Sequence, residues 1–277
     1  MIEEFAPAKI NLSLHVTGQR GDGYHLLDSL VVFVDVGDRL TFEHSDSLSL
    51  EVSGPRAKGV PTDSGNLILK AARLFDGSCG AKISLDKQLP AAAGIGGGSS
   101  DAAAALRGLA RLWDVECPED SLALGADVPV CMRARPTRMR GIGEDLSDVL
   151  TLPEAWLVLT NPGVAIETPS VFTRLTDKNQ PPMPDVPKVS SVKDLAEWLS
   201  GTRNDLQHSA IEIAPVVGQA IDLLAKQSGC LIARMSGSGA TCWGMFGSKQ
   251  EADAAAANLQ AMRPDWWSVT TKIEPLS

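Results

Sequence analysis

Cysteine is sparse and unpatterned: Cys79, Cys117, Cys131, Cys230 and Cys242 stand widely and irregularly apart, with no CxxC pair anywhere. That spacing argues against a disulfide framework, and the thiols read as reduced, mostly buried groups of a cytoplasmic protein. Histidine is as thin, with His15, His44 and His208 scattered without ligand spacing, so no zinc centre is expected. Positive charge is in deficit. Lys and Arg total 25 against 34 Asp and Glu, a formal charge of −9. A nucleic-acid partner needs concentrated basic residues to neutralise phosphates and is therefore not expected, although a local pocket for one or two phosphates is compatible with this balance. Long apolar runs are missing too, and the start Met1-Ile2-Glu3-Glu4-Phe5 is acidic where a signal peptide is basic, so no membrane partner is expected.

What the 277 residues do have is apolar bulk, 44% of the chain, enough for one large domain or two ordinary ones. Ile10, Leu12, Leu14 and Val16 share one parity while Lys9, Asn11, Ser13 and His15 share the other, which predicts a strand over 6–16 with one buried and one polar face. After a glycine-rich turn at 18–23, strands are predicted over 26–36 and 39–52. A short helix over 66–75 ending near Gly77 and a strand over 81–85 follow. An alanine-dense helix then runs from Ser99 or Ser100 to about Trp113, with Leu106, Leu109, Ala110 and Trp113 as its buried stripe. Pro118 and Glu119 suit the start of a second short helix that stops at Gly125. A boundary at 148–154, before the apolar strand Trp156-Leu157-Val158-Leu159, divides the chain into domains 1–153 and 154–277. Residues 177–187 are proline-rich and poor in apolar residues, which predicts a mobile loop or lid. Helices over 206–213, 216–226 and 251–262 and strands over 231–235 and 241–246 complete an α+β second half.

Chemistry concentrates in a few places. Pro90-Ala91-Ala92-Ala93-Gly94-Ile95-Gly96-Gly97-Gly98-Ser99-Ser100 joins a strand to a helix, where glycine lets backbone N–H groups converge on an anion and the helix start adds unpaired donors. Ser99 and Ser100 can cap the helix or offer hydroxyls to phosphate. No Gly-Lys-Ser or Gly-Lys-Thr closes the loop, so it is not a Walker P-loop, and it lacks a dinucleotide-binding spacing. Lys9, on the polar face of the first strand, can neutralise a transferring phosphoryl group or simply be solvated. Asp127 stands alone in the apolar run Gly125-Ala126-Asp127-Val128-Pro129-Val130; it is either the N-cap of the next short helix or a carboxylate held in a site to accept or orient a hydroxyl proton. Tyr24, the only tyrosine, and His25 offer flat rings for a base or sugar, or pack. Ser236-Gly237-Ser238-Gly239-Ala240 is either a second glycine-rich wall or a hairpin turn.

These pieces, in this order, resemble the superfamily of small-molecule kinases that includes galactokinase, homoserine kinase, mevalonate kinase and phosphomevalonate kinase. The likeness is carried by Ala6-Pro7-Ala8-Lys9-Ile10-Asn11-Leu12, Arg20-Gly21-Asp22-Gly23-Tyr24-His25, Asp86-Lys87-Gln88-Leu89-Pro90, the loop through Ser100-Asp101-Ala102-Ala103, Leu124-Gly125-Ala126-Asp127-Val128-Pro129 and Ser236-Gly237-Ser238-Gly239. The first, second and fifth of these point to a member whose small-molecule substrate is a cytidyl diphosphate. The resemblance implies a two-domain α+β fold, with an N-terminal ATP-binding domain like ribosomal protein S5 domain 2 and a ferredoxin-like C-terminal domain. It implies transfer of the ATP γ-phosphoryl group to an alcohol, with Mg²⁺. On the matching positions, Asp127 and Lys9 are the implied catalytic residues; Asn66, Lys87 and residues 90–100 surround the nucleotide; Asn11, Tyr24, His25 and Thr168 contact the substrate. Asp101 departs from the usual Asn and adds charge near the phosphates, either to reach Mg²⁺ or simply to cap the helix. A monomer or weak homodimer is expected. The alternatives are another alcohol kinase of the superfamily and a non-catalytic nucleotide-binding module.

Overall fold

The alternation in the first strand is present, yet both of its faces are buried. In the computed structural model, which describes residues 1–75, 80–149 and 152–273, β1 (Ile2–Gln19) buries every residue from Ala6 to Val16. The polar parity of Lys9, Asn11, Ser13 and His15 is covered as fully as the apolar one. An alternating pattern reports side-chain chemistry and not exposure; a polar face can be covered when its groups are paired. Gly77, Cys79 and part of the expected boundary, residues 150–151, lie outside the described residues.

The chain forms two compact units interleaved in sequence, residues 1–9, 36–91 and 96–134, and residues 10–35, 92–95 and 135–277. β2 (His25–His44), whose residues from 36 on belong to the first unit, runs straight through the expected break at 37–38. Gly37 is a place of close backbone approach and not a turn: a Cβ there would lie 2.3 Å from the Ala6 carbonyl oxygen. The predicted strand over 39–52 is split, its first part belonging to β2 and its last to β3 (Ser49–Ser53). α1 (Leu67–Ala72) separates β3 from β4 (Ala81–Asp86), which pairs parallel with β3 and antiparallel with the Arg39–His44 end of β2. α2 (Gly97–Trp113) buries Ala102 to Ala105 with Leu106 and Leu109 and packs against α1 and α3 (Val128–Arg133). Four consecutive small residues let those neighbours approach its backbone. The short helix expected from Pro118 is a 3-10 turn, Ser121–Leu124, capped by Asp120 and ended at Gly125 as anticipated.

In the second unit β5 (Thr137–Gly141) pairs with the Leu27–Val31 stretch of β2 and with β6 (Asp145–Asp148). β7 (Trp156–Asn161) is followed by α4 (Thr168–Thr173), α5 (Val192–Ser200), α6 (Gln207–Ile213), α7 (Val216–Ala225), β8 (Cys230–Met235), β9 (Cys242–Phe246), α8 (Lys249–Met262) and β10 (Trp267–Lys272). The sheet order β10-β7-β9-β8, antiparallel throughout, with helices between β7 and β8 and between β9 and β10, is the split β-α-β-β-α-β arrangement of ferredoxin-like domains. Among the described residues no helix is long and apolar enough to cross a membrane.

The proline-rich stretch has no helix or strand, as its composition requires, but it is tied down by hydrogen bonds where a mobile loop or lid was expected. Arg138 of β5 grips both oxygens of Asp28 at 2.8 and 2.7 Å and donates to the Met183 carbonyl at 2.6 Å and to Asp185 at 2.8 Å. Met183 is buried, and the Pro181 carbonyl accepts from Arg203. Prolines remove N–H donors and leave carbonyls, so such a stretch is anchored by donors elsewhere in the chain. Arg138→Met is expected to release it, measured as faster proteolytic cleavage within 177–187 with the cores of both units intact.

Candidate active site

Between β4 and α2 the backbone takes φ of +49° at Ala92, +71° at Gly94 and +65° at Gly96. Alternating left-handed residues with ordinary ones turns successive N–H groups toward one side, the backbone form of an anion nest. Gly96 is the N-cap of α2 and carries no side-chain cap, so the first-turn N–H groups are left without a side-chain acceptor. The sequence-based start at Ser99 or Ser100 is thus two to three residues late, and neither serine caps. Ser100 turns inward and donates to the Pro7 carbonyl at 2.7 Å, while Ser99 is half-buried. A serine after glycines looks like a cap, but the glycines themselves already hold helical geometry.

Lys9 and Asp127 meet in the first unit. Lys9 Nζ donates to Asp127 Oδ2 at 2.8 Å; the lysine is 4% exposed and the aspartate side chain 36%. Asp127 is the N-cap residue of α3 by position, but its carboxylate makes no capping hydrogen bond. Of the two roles open to it in the sequence, capping by its side chain is not seen, and the carboxylate is instead paired with Lys9. The Lys9 stem runs along the start of α2: a Cβ at Gly96 would stand 3.1 Å from Lys9 Cβ.

Lys87 also flanks that helix start, with its Nζ 3.4 Å from where a Gly97 Cβ would stand. It is buried between two carboxylates, Asp38 Oδ2 at 2.5 Å and Asp101 Oδ2 at 2.6 Å. Asp38 Oδ1 further accepts from the N–H groups of Gln88 and Leu89, which fixes the chain entering the loop. One ammonium shared by two buried carboxylates leaves an excess negative charge. Burial alone would lower the Lys87 pKa, but Asp101 and Asp38 together hold it above the ordinary value. Asp101 is pushed up to about 7, by burial first and by the charge of Asp38, against the pull of Lys87. Asp101 therefore neither caps α2 nor faces solvent, and its Oδ1 is buried with no hydrogen-bond partner. Because its folded-state value lies above that of the unfolded chain, the folded state binds the extra proton. Stability from this group is full below the unfolded value near 4 and falls as pH rises through about 7. Asp101→Asn is expected to flatten that slope, read as a urea midpoint that changes less between pH 4 and 7 than in the parent.

Asn66 caps α1, accepting from the Ile68 N–H at 2.9 Å and donating to the Pro61 carbonyl at 2.6 Å, and its neighbour Leu67 lies against Gly98. The first unit thus gathers Lys9, Asp127, Lys87 and the α2 start, with Asn66 alongside.

The second unit gathers the rest. Asn11 receives one hydrogen bond on its carbonyl from Trp243 Nε1, gives its N–H to Ser236 Oγ and its side-chain amide to Ser29 Oγ. Ser236 Oγ donates to the Gly94 carbonyl at 2.9 Å, so the Ser236–Gly239 turn is seated on the loop and is more than a plain hairpin. Thr168 shares a 2.7 Å hydrogen bond with Ser238. The Tyr24–His25 pair separates: Tyr24 is 59% exposed, whereas His25 stacks on Phe172 with ring centroids 4.5 Å apart. Burial, aided by Lys178, holds the His25 pKa below its ordinary value, and its Nε2 is buried without a partner. Sequence reasoning missed Asp38, whose only signal was a carboxylate beside a glycine inside an apolar strand, and Ser29, one hydroxyl among many. Among the described residues no group of three or more His, Cys, Asp or Glu is placed to hold a metal ion.

Comparison with known proteins agrees with this architecture. The GHMP kinases N terminal domain matches residues 66–134 and the GHMP kinases C terminal domain residues 185–265. The chain is 56% identical over 271 residues to a 4-diphosphocytidyl-2-C-methyl-D-erythritol kinase of Cereibacter sphaeroides, covering 96% of this chain and 97% of that one. Identity is 57% over 271 residues to the Dinoroseobacter shibae protein of the same name, covering 98% and 94%. A crystal structure of 4-(cytidine 5'-diphospho)-2C-methyl-D-erythritol kinase superposes with a TM-score of 0.79 at 32% identity, over 98% of this chain and 99% of that one. A homoserine kinase from Cytophaga hutchinsonii, at 15% identity and a TM-score of 0.67 over 99% and 94%, shares the fold.

Proposed function

The chain belongs to the GHMP kinases and, within them, to the 4-diphosphocytidyl-2-C-methyl-D-erythritol kinase family, and from this premise we propose how its residues divide the work of phosphoryl transfer. The reaction moves the γ-phosphoryl group of ATP to the 2-hydroxyl of 4-diphosphocytidyl-2-C-methyl-D-erythritol, giving the 2-phosphate and ADP in the non-mevalonate route to isoprenoid precursors.

The observation that carries the assignment is the 2.8 Å Lys9–Asp127 pair beside the uncapped start of α2. Asp127 accepts the proton of the attacking hydroxyl or orients it, and Lys9 both holds that carboxylate and offsets charge on the moving phosphoryl group. Residues 90–100 bind ATP phosphates through backbone N–H groups, with Lys87 ordering the loop entrance and Asn66 adjoining the nucleotide. Asn11, Tyr24, His25 and Thr168 take the cytidyl substrate, with His25 offering Nε2 to its cytosine end. The family-model spans fall one on each side of residues 153 and 154, which supports a nucleotide-binding domain 1–153 and a second domain 154–277.

Mg²⁺ normally keeps several waters and binds substrate phosphates with only one or two protein oxygens, so the absence of an acidic cage among the described residues is compatible with it. Ser99, half-buried in the first turn of α2, would offer one such oxygen. The ion would neutralise phosphate charge.

ADP release is expected only when the cytidyl substrate is added, and not with mevalonate or homoserine. ATP binding with no acceptor-dependent turnover would favour the non-catalytic module instead. Gly94→Ala should raise the KM for ATP at least about tenfold, because a side chain at φ +71° is strained and its Cβ would lie 2.5 Å from the Ser236 carbonyl oxygen.

A further inference from the structure

The side-chain amide of Asn11 has only one orientation that its neighbours permit. Ser29 Oγ lies 2.6 Å from the Ser13 carbonyl oxygen, which can only accept, so the single Ser29 proton is committed there. Ser29 Oγ is then an acceptor toward Asn11, 2.8 Å away, and must face the NH₂ group. The reversed amide would set two oxygens against each other with no proton between them. The rest of Asn11 is held by Ser236 Oγ on its N–H at 3.1 Å and by Trp243 Nε1 on its carbonyl at 3.1 Å, so the residue cannot turn as a whole. What this leaves is Oδ1, buried, without a partner, and 3.4 Å from where a Gly237 Cβ would stand. A buried oxygen lacking a donor keeps an uncompensated desolvation cost, which an incoming O–H offsets.

We infer that Ser29 is a positioning residue: by committing its proton to Ser13 it makes Asn11 present an acceptor, so that Asn11 selects a hydroxyl of the acceptor substrate as a donor and discriminates against an analogue lacking it. The inference rests on the proposed contact between Asn11 and that substrate. Ser29 itself touches no substrate.

The test is calorimetric binding of 4-diphosphocytidyl-2-C-methyl-D-erythritol to the whole enzyme without nucleotide, alongside steady-state kinetics and thermal melting. Ser29→Ala should weaken acceptor binding and kcat/KM about tenfold with an unchanged KM for ATP, Ser29→Thr should restore both to within about twofold, and Ser29→Cys should fall between. In an Asn11→Ala background, Ser29→Ala should add nothing, since its effect travels through Asn11. A Ser29→Ala loss that persists in full on top of Asn11→Ala would overturn the inference, as would acceptor binding in Ser29→Ala equal to the parent. Unchanged acceptor binding in Asn11→Ala alone would remove the proposed substrate contact of Asn11 and the inference with it, while leaving the Lys9 and Asp127 roles untouched.

Discussion

Asp127→Asn is expected to lower kcat by about 10²–10⁴-fold while the KM for ATP stays within about twofold. The substitution keeps the size of the side chain and removes its negative charge and its basicity. The two effects on Lys9 then separate. Lys9 is 4% exposed and loses its 2.8 Å carboxylate partner, so part of the loss comes from an ammonium no longer held in place. Lys9→Met should therefore also lower kcat steeply, and the double variant should be little worse than the single Asp127 variant if the pair acts as one unit. Rapid-quench measurement of single-turnover phosphoryl transfer is the decisive check. An Asp127→Asn enzyme with parental single-turnover rates would end the assignment of Asp127 to the hydroxyl proton. Melting curves run alongside would separate the loss of chemistry from the destabilisation of a buried Lys9 left without its carboxylate.

Lys87→Met is expected to destabilise the protein by about 3–5 kcal/mol, because it leaves Asp38 and Asp101 buried at the α2 start without their cation. The sign of the pH response follows from what remains. Two uncompensated carboxylates bind protons more readily in the fold than in the unfolded chain, so the variant should recover stability as pH falls toward 5 and lose it as pH rises. Changing one carboxylate as well, in Lys87→Met/Asp101→Asn, should recover about half of the loss or more, since only one buried charge then lacks a partner. Urea unfolding at pH 5 and pH 8 measures all three. Equal destabilisation at both pH values would mean that the lysine matters through packing and not through the carboxylates. The functional consequence is separate: Asp38 also accepts from the N–H groups of Gln88 and Leu89, so disturbing the triad should raise the KM for ATP before kcat changes.

The loop at 90–100 shows how far residues alone carry the chemistry. Its glycines, their place between a strand and a helix and the missing Walker lysine already pointed to an anion site built from backbone donors. Its partners Lys9 and Asp127, 118 positions apart, were marked only by local oddity, a lysine in an alternating strand and a carboxylate in an apolar run. The capping test failed for Ser99 and Ser100 because a helix can start on glycine when the loop supplies the geometry. α5 was overlooked although Ser191 and Asp194 mark its start, and β5 was obscured by its arginines, whose charges are neutralised across the sheet. The proline-rich stretch was legible as irregular and illegible as anchored, since its partners Asp28, Arg138 and Arg203 are remote in sequence.

Residue order by itself determined the periodicities, the breaks and the kinds of group available: a glycine-rich loop before a helix, a lone lysine, a lone carboxylate, and an α+β second half whose ferredoxin-like arrangement only the family resemblance implied. These are local properties, fixed by φ preferences, side-chain spacing and chemistry within a few residues. Tertiary structure alone decided which charges meet. It set Lys9 on Asp127, shared Lys87 between Asp38 and Asp101, buried the polar face of β1, and committed the Ser29 proton so that Asn11 turns its oxygen outward from that hydroxyl. Coulombic and hydrogen-bond energies depend on distances of a few ångströms between groups far apart in the chain, and those distances exist only once the strands and helices have packed.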